Sequence, residues 1–201
     1  MTAKTGDELL TENNSRVEIG EKFFRYRDYT PVPLILLLFI YAEPGVVSAT
    51  FGLLLVTFGE LIRIYSVAFI GAISRTRKNR TGGRLIKEGP FAYVRNPLYV
   101  GNFFITLGIA VYGARTGIIL LAVILFAIQY FFIVQYEESL LKETFGEEYD
   151  QYCAEVPPFI PRRTLAIDQL QWPGSFSGAL QSERKTLLGI GTMLLLLMVL
   201  A

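Results

Sequence analysis

Apolar side chains gather into five runs along the chain, Val32–Ala42, Gly45–Ile73, Leu98–Gly113, Gly117–Tyr136 and Thr186–Ala201, with polar stretches between them. A helix rises about 1.5 Å per residue, so crossing a bilayer's hydrocarbon takes about 20 apolar residues. The second and fourth runs meet that length and predict membrane-spanning helices. The first and third are shorter, but "YAEPG" at Tyr41–Gly45 and "YGART" at Tyr112–Thr116 read as tight turns that join each short run to a long one. Helices in such antiparallel hairpins can be short or tilted. The fifth run is too short to decide between a span, a tilted helix and one lying in the interface. After Tyr136, "EESLLKETFGEEYDQYCAEV" places Leu140, Leu141, Phe145, Tyr149 and Tyr152 on one helical face with acids opposite, which predicts an amphipathic helix resting on the end of the bundle. The prolines of "PPFIPRR" close it. The expected fold is all-α: an integral membrane bundle of four or five transmembrane helices. Its organisation is a polar segment over 1–31, a core over 32–161 and a tail over 162–201.

Composition supports a membrane protein, since 52% of the residues are hydrophobic, more than an ordinary soluble domain carries. Net charge is +1, which provides no general attraction for nucleic acid, so the placement of charge carries more information than its sum. With four spans, every Lys and Arg except Arg63 and Arg115 falls on one side of the membrane. The positive-inside rule makes that side cytoplasmic, together with the N-terminus and both long polar segments. The first residues, "MTAKTGDELLTENNSR", are polar and acidic, so no cleavable signal peptide is expected.

The residue inventory narrows the chemistry. One cysteine, Cys153, allows no internal disulfide and no cysteine metal cluster, and the absence of histidine removes the commonest general base and metal ligand. Four features remain. In "GGRLIKEGPFAYVRNPLYV", the turns at Gly82-Gly83 and Gly89-Pro90 turn backbone groups outward, as a ligand held by main-chain atoms needs; a plain connecting loop is the alternative. Glu137 and Glu138 end the fourth run and could take ribose hydroxyls or an ammonium group, or could simply be its solvated last turn. Glu60 and Arg63 lie three apart on one helical face and can pair. Ionisable groups in a membrane are costly, so the pair is a functional candidate, with glue between helices as the other reading. Cys153 has acidic neighbours, Asp150 and Glu155, and is read as packing.

Taken together, "LIKEGPFAYVRNPLYVGNF" and, after a hairpin, "EESLLKETFGEEYDQYCAEVPPFIP" resemble the membrane methyltransferase superfamily of isoprenylcysteine carboxyl methyltransferases and phosphatidylethanolamine N-methyltransferases. The resemblance runs from about Gly59 to Pro161. It implies a cytoplasm-facing S-adenosylmethionine site and a lipophilic acceptor that enters from the bilayer. By position it implies that Gly83, Arg84, Leu85, Ile86 and Gly89 hold the adenosine largely by backbone, with Phe91 packing on it. Asn96, Pro97, Leu98 and Tyr99 form the next wall, and Glu137, with Glu138 beside it, binds from the facing helix. Arg95 is a natural partner for the methionine carboxylate or a substrate anion. Arg95, Asn96, Tyr99, Glu60 and Arg63 are the candidates for catalysis, and no metal is called for. The chain departs from the family pattern twice. Asn96 replaces the motif histidine and cannot take a proton near neutral pH; Ile133 stands where isoprenylcysteine enzymes carry an arginine. Both differences favour a headgroup amine or other lipid over a prenylcysteine. The rival readings are an NADPH-dependent sterol or C=C reductase of related fold, for which the basic cluster Arg75, Arg77, Lys78 and Arg80 would bind a 2′-phosphate, and a non-catalytic lipid-binding protein.

Overall fold

The computed structural model describes residues 6–70, 84–162, 171–173 and 176–200. Gly83 and the cluster Arg75, Arg77, Lys78 and Arg80 lie outside the described residues. Helices α1 (Gly6–Tyr26), α2 (Val32–Tyr41), α3 (Val46–Ile70), α4 (Pro97–Tyr112), α5 (Thr116–Phe145), α6 (Glu147–Glu155) and α7 (Phe176–Leu200) make up the bundle, with one 3₁₀ turn at Gly89–Ala92. Among the described residues there is no strand. Helices α3 and α5 are long and apolar enough to cross a membrane, and α2 and α4 are shorter apolar helices.

The expected hairpin of α4 with α5 forms; α2 and α3 are joined by the expected turn, but α2 packs on α5 and α7 more than on α3, and the two turns bond to each other. Glu43 N–H donates to the Gly113 carbonyl at 3.0 Å, and Arg115 pairs with Glu43. The central contact is α3 against α4. A Cβ added to Gly59 would lie 2.6 Å from the Gly101 carbonyl oxygen, and one on Gly52 would lie 2.7 Å from that of Gly108. The two antiparallel backbones therefore touch at two levels. Small residues permit such approach where lipid offers no hydrophobic drive between helices. This contact sets Glu60 and Arg63 of α3 beside the start of α4.

Three elements differ from the sequence pattern. The short α2 does not stand alone, because the end of α1 continues it along α5: Phe23 stacks on Phe132 at 5.7 Å, and Thr30 Oγ1 donates to Gln129 at 2.7 Å. The amphipathic stretch after Tyr136 is two helices. α5 runs straight on to Phe145, and Gly146, at φ +54°, turns the chain into α6. Only glycine adopts that backbone without strain. The last apolar run is part of a helix that begins at Phe176. Its Leu194 and Leu197 join Leu34, Leu38, Ala42, Tyr112 and Ala122 in the core beside the two turns, while Glu183 reaches Arg63, so α7 runs antiparallel to α3.

Candidate functional site

The site lies where α3 ends, α4 begins and α5 leaves the apolar part of the bundle. Its approach is the stretch from Leu85 to Lys87, whose backbone belongs to no helix, followed by the turn at Gly89. Gly89 sits at φ +59° with a Cβ position 2.5 Å from the Phe69 ring, so both its conformation and its space exclude a side chain. Its N–H donates to Gln171 Oε1 at 2.9 Å, and Tyr65 Oη donates to the Gln171 carbonyl at 2.7 Å. Phe91 is buried, and its carbonyl accepts the Tyr152 hydroxyl at 2.7 Å. Leu85 packs against the Tyr149, Tyr152 and Val156 cluster. Exposed Arg84 pairs with Glu88 at 3.1 Å.

The adjacent acids Glu137 and Glu138 face different partners, since successive helical residues point about 100° apart. Tyr99 Oη donates to Glu137. Arg95 takes Glu138 in a two-pronged pair, Nε to Oε1 at 2.9 Å and Nη2 to Oε2 at 3.2 Å. Its Nη1 donates to the carbonyls of Cys153 at 3.2 Å and Val156 at 2.8 Å. The last carbonyls of a helix lack partners within it, and a cation there also meets the negative end of the dipole. Arg95 thus ties the end of α6 to α5. Burial opposes its charge, but the Glu138 hydrogen bond and carboxylate outweigh this and hold Arg95 above its ordinary pKa. The backbone repeats the tie: Arg95 and Asn96 N–H donate to the Pro157 and Pro158 carbonyls at 2.9 and 3.1 Å. Pro97 follows as the first residue of α4, where the missing N–H costs nothing, and is fully buried. Asn96 Nδ2 reaches Glu138 and the Pro158 carbonyl only at 3.5 and 3.4 Å, and Leu98 is half-buried on α4.

Below this layer lies a polar network that the sequence reading saw only in part. Glu60 and Arg63 do approach, at 3.9 Å. Arg63 also donates to Asn102 and to Glu183 of α7 at 2.7 Å. Asn102 Nδ2 donates to Tyr130 Oη at 2.9 Å, and the Tyr130 ring centroid lies 4.7 Å from that of Tyr99. A connected path therefore leads from Glu137 through Tyr99, Tyr130, Asn102 and Arg63 to Glu60 and Glu183. Asn102, Tyr130 and Glu183 were missed. The signal for the first two is spacing, Asn102 three residues after Tyr99 and Tyr130 seven before Glu137; Glu183 had none beyond a charge ahead of an apolar run. Burial pushes the Cys153 thiol up, with Arg95 opposing, which agrees with a packing residue. Ile133 is fully buried.

Comparison with known proteins gives the family of the chain. Residues 47–148, from α3 into α6, match the phospholipid methyltransferase family. The chain is 36% identical over 119 residues to the nickel-cobalt-cadmium resistance protein NccN of Alcaligenes xylosoxydans xylosoxydans, covering 58% of this chain and 51% of that protein. It is 30% identical over 149 residues to the protein-S-isoprenylcysteine O-methyltransferase of Schizosaccharomyces pombe, covering 71% of this chain and 60% of that one. The matched regions thus span about half to three fifths of these relatives. No solved structure gives a significant match. With the match spanning just over half its length, the chain belongs to the phospholipid methyltransferase family, within the superfamily that also holds the isoprenylcysteine enzymes.

Proposed function

We propose that the protein is an integral membrane methyltransferase that uses S-adenosylmethionine to methylate a lipophilic acceptor, a lipid headgroup amine or an isoprenoid-linked carboxylate, from a site facing the cytoplasm. The observation that carries this reading is the bond between Tyr99 and Glu137, which joins the two motifs of the family-matched segment into one site. The residues present suit the cofactor. Glu137 is an acceptor for ribose hydroxyls, the backbone from Leu85 to Lys87 has groups outside any helix to meet an adenine edge, and buried Phe91 and half-buried Leu85 supply apolar wall. When bound, S-adenosylmethionine supplies a methyl group already activated on sulfur. The chain's tasks are then to orient the acceptor and keep water out. Pro97 and the Arg95 tie hold Tyr99 in register with Glu137, and the helices α3, α4 and α5 enclose the path below it. In this reading α2, α4 and α7 cross the bilayer with α3 and α5, and the acceptor enters from the lipid.

Calorimetric titration with S-adenosylhomocysteine, and separately with NADPH, tests the reading without knowledge of the acceptor. S-adenosylhomocysteine is expected to bind, and Glu137→Ala to weaken it at least tenfold, about 1.4 kcal/mol. Binding of NADPH alone would assign the site to a reductase. Binding of S-adenosylhomocysteine unaffected by Glu137→Ala would move the site elsewhere.

A further inference from the structure

The turn at Gly89–Ala92 carries Phe91, one wall of the candidate site, and it is held from two sides. On the α6 side the Tyr152 hydroxyl donates to the Phe91 carbonyl at 2.7 Å. On the α3 side the tie comes from Gln171, which precedes α7 in the chain. Its side-chain Oε1 accepts the Gly89 N–H at 2.9 Å, and its backbone carbonyl accepts the Tyr65 hydroxyl at 2.7 Å. The Tyr65 ring meets Phe69, one turn further along α3, edge to face at 5.2 Å, and the Phe69 ring fills the space where a Cβ on Gly89 would stand. Tyr65, Gln171, Gly89 and Phe69 therefore close a ring of contacts that fixes the turn on the end of α3. The donor in this ring matters most. Gly89 is buried, and the first N–H groups of a helical turn have no acceptor within it. A buried donor left without an acceptor is costly, so the seat of the turn depends on a side chain 82 residues further on.

We propose that Gln171 is a positioning residue for the cofactor: by accepting the Gly89 N–H and the Tyr65 hydroxyl it keeps the turn, and Phe91 with it, in place as the wall of the cofactor site. This rests on the methyltransferase reading and adds to it a residue outside the family-matched residues 47–148. The segment that leads into α7 thus sets the affinity of a site whose other parts lie in the core. The coupling runs both ways, because a docked turn that raises cofactor affinity is itself stabilised by bound cofactor to the same extent. What the post requires is an acceptor oxygen at the end of a side chain of this length. Glutamate keeps that oxygen, whereas leucine keeps much of the bulk and loses it.

The test uses the full chain in an uncharged maltoside detergent, as the wild type, Gln171→Leu, Gln171→Glu and Tyr65→Phe. Each is titrated calorimetrically with S-adenosylhomocysteine and followed by hydrogen exchange at 89–92. Gln171→Leu is expected to weaken binding about fivefold, the scale of one hydrogen bond, and to speed exchange at 89–92 while α4 exchanges as before. Gln171→Glu is expected to stay within about twofold of the wild type in both readouts, a rescue that general damage to the fold would not give. Tyr65→Phe, which leaves the side-chain acceptor in place, is expected to move both in the direction of Gln171→Leu by a smaller factor, and it decides if Gln171→Leu fails to fold. Equal affinity in the wild type and Gln171→Leu overturns the proposal even if exchange at 89–92 quickens, because the bond is then structural alone. Equal losses in Gln171→Leu and Gln171→Glu overturn it as well. If the wild type binds NADPH and not S-adenosylhomocysteine, the methyltransferase reading falls, and the same comparison of variants with NADPH decides the role of Gln171. Binding of neither by the wild type overturns both.

Discussion

Arg95 has two competing roles, an anchor for a bound anion or an internal tie, and Arg95→Met separates them. The substitution keeps most of the side chain's apolar bulk and removes the guanidinium. Glu138 then loses both of its short contacts, and the Cys153 and Val156 carbonyls lose their donor. Removing one partner of a fully buried pair costs about 3–5 kcal/mol. Glu138 keeps 25% of its side-chain surface exposed, so water rescues part of it, and about 2 kcal/mol is the better figure for the pair. The two carbonyls at the end of α6 add about 1 kcal/mol. The total, about 3 kcal/mol, raises local opening roughly 100-fold. It is expected to fall on α6 and the Val156–Pro158 strip, not on α3. Hydrogen exchange of peptides covering 147–158 in the full chain measures it directly. In a double-mutant cycle with Glu138→Gln the two costs are expected to fall short of additivity by about 1–2 kcal/mol, as for residues in direct contact. Unchanged exchange at 147–158, together with a loss of S-adenosylhomocysteine affinity, would make Arg95 a ligand-binding cation and refute the tie.

Gly59→Ala is expected to destabilise the bundle by about 1–3 kcal/mol or more, because its Cβ meets the Gly101 carbonyl, a backbone atom that cannot step aside. Gly45→Ala, with nothing within 4 Å of its Cβ, serves as the control in thermal unfolding in detergent. Tyr152→Phe removes the buried bond to the Phe91 carbonyl and is expected to cost about 1–2 kcal/mol, read as faster hydrogen exchange at 89–92. Burial and the nearby Glu138 and Asp150 charges raise the Cys153 pKa despite Arg95. A raised pKa means less thiolate at a given pH, so maleimide labelling of Cys153 is expected to be slower than that of a free thiol at pH 8 and to climb at higher pH.

Much of the architecture was readable along the chain. The long helices α3 and α5 follow from apolar runs of bilayer length, and the turns that precede them from "YAEPG" and "YGART", because these signals are local. The "RNPLY" and "YEESLL" motifs and the Glu60–Arg63 spacing were legible for the same reason. The start of α7 was not, since Ser177, Gln181, Ser182, Glu183, Arg184 and Lys185 interrupt its apolar pattern and only packing against α3 compensates for them. Nor was the break at Gly146, which a helical pattern of Leu141, Phe145, Tyr149 and Tyr152 masks.

Sequence by itself determined which residue types were available, how long each apolar helix could be, and which pairs a single helix would bring together. Tertiary structure decided which acid meets which partner. Glu137 and Glu138 are neighbours in the chain, yet the rotation of α5 sends one to Tyr99 and the other to Arg95. The Gly59–Gly101 contact decided how deep α3 lies on α4, and therefore that Asn102 meets Arg63. Glu183 reaches that arginine from 120 residues away. No local pattern encodes such a meeting, because its position depends on the packing of every helix between them.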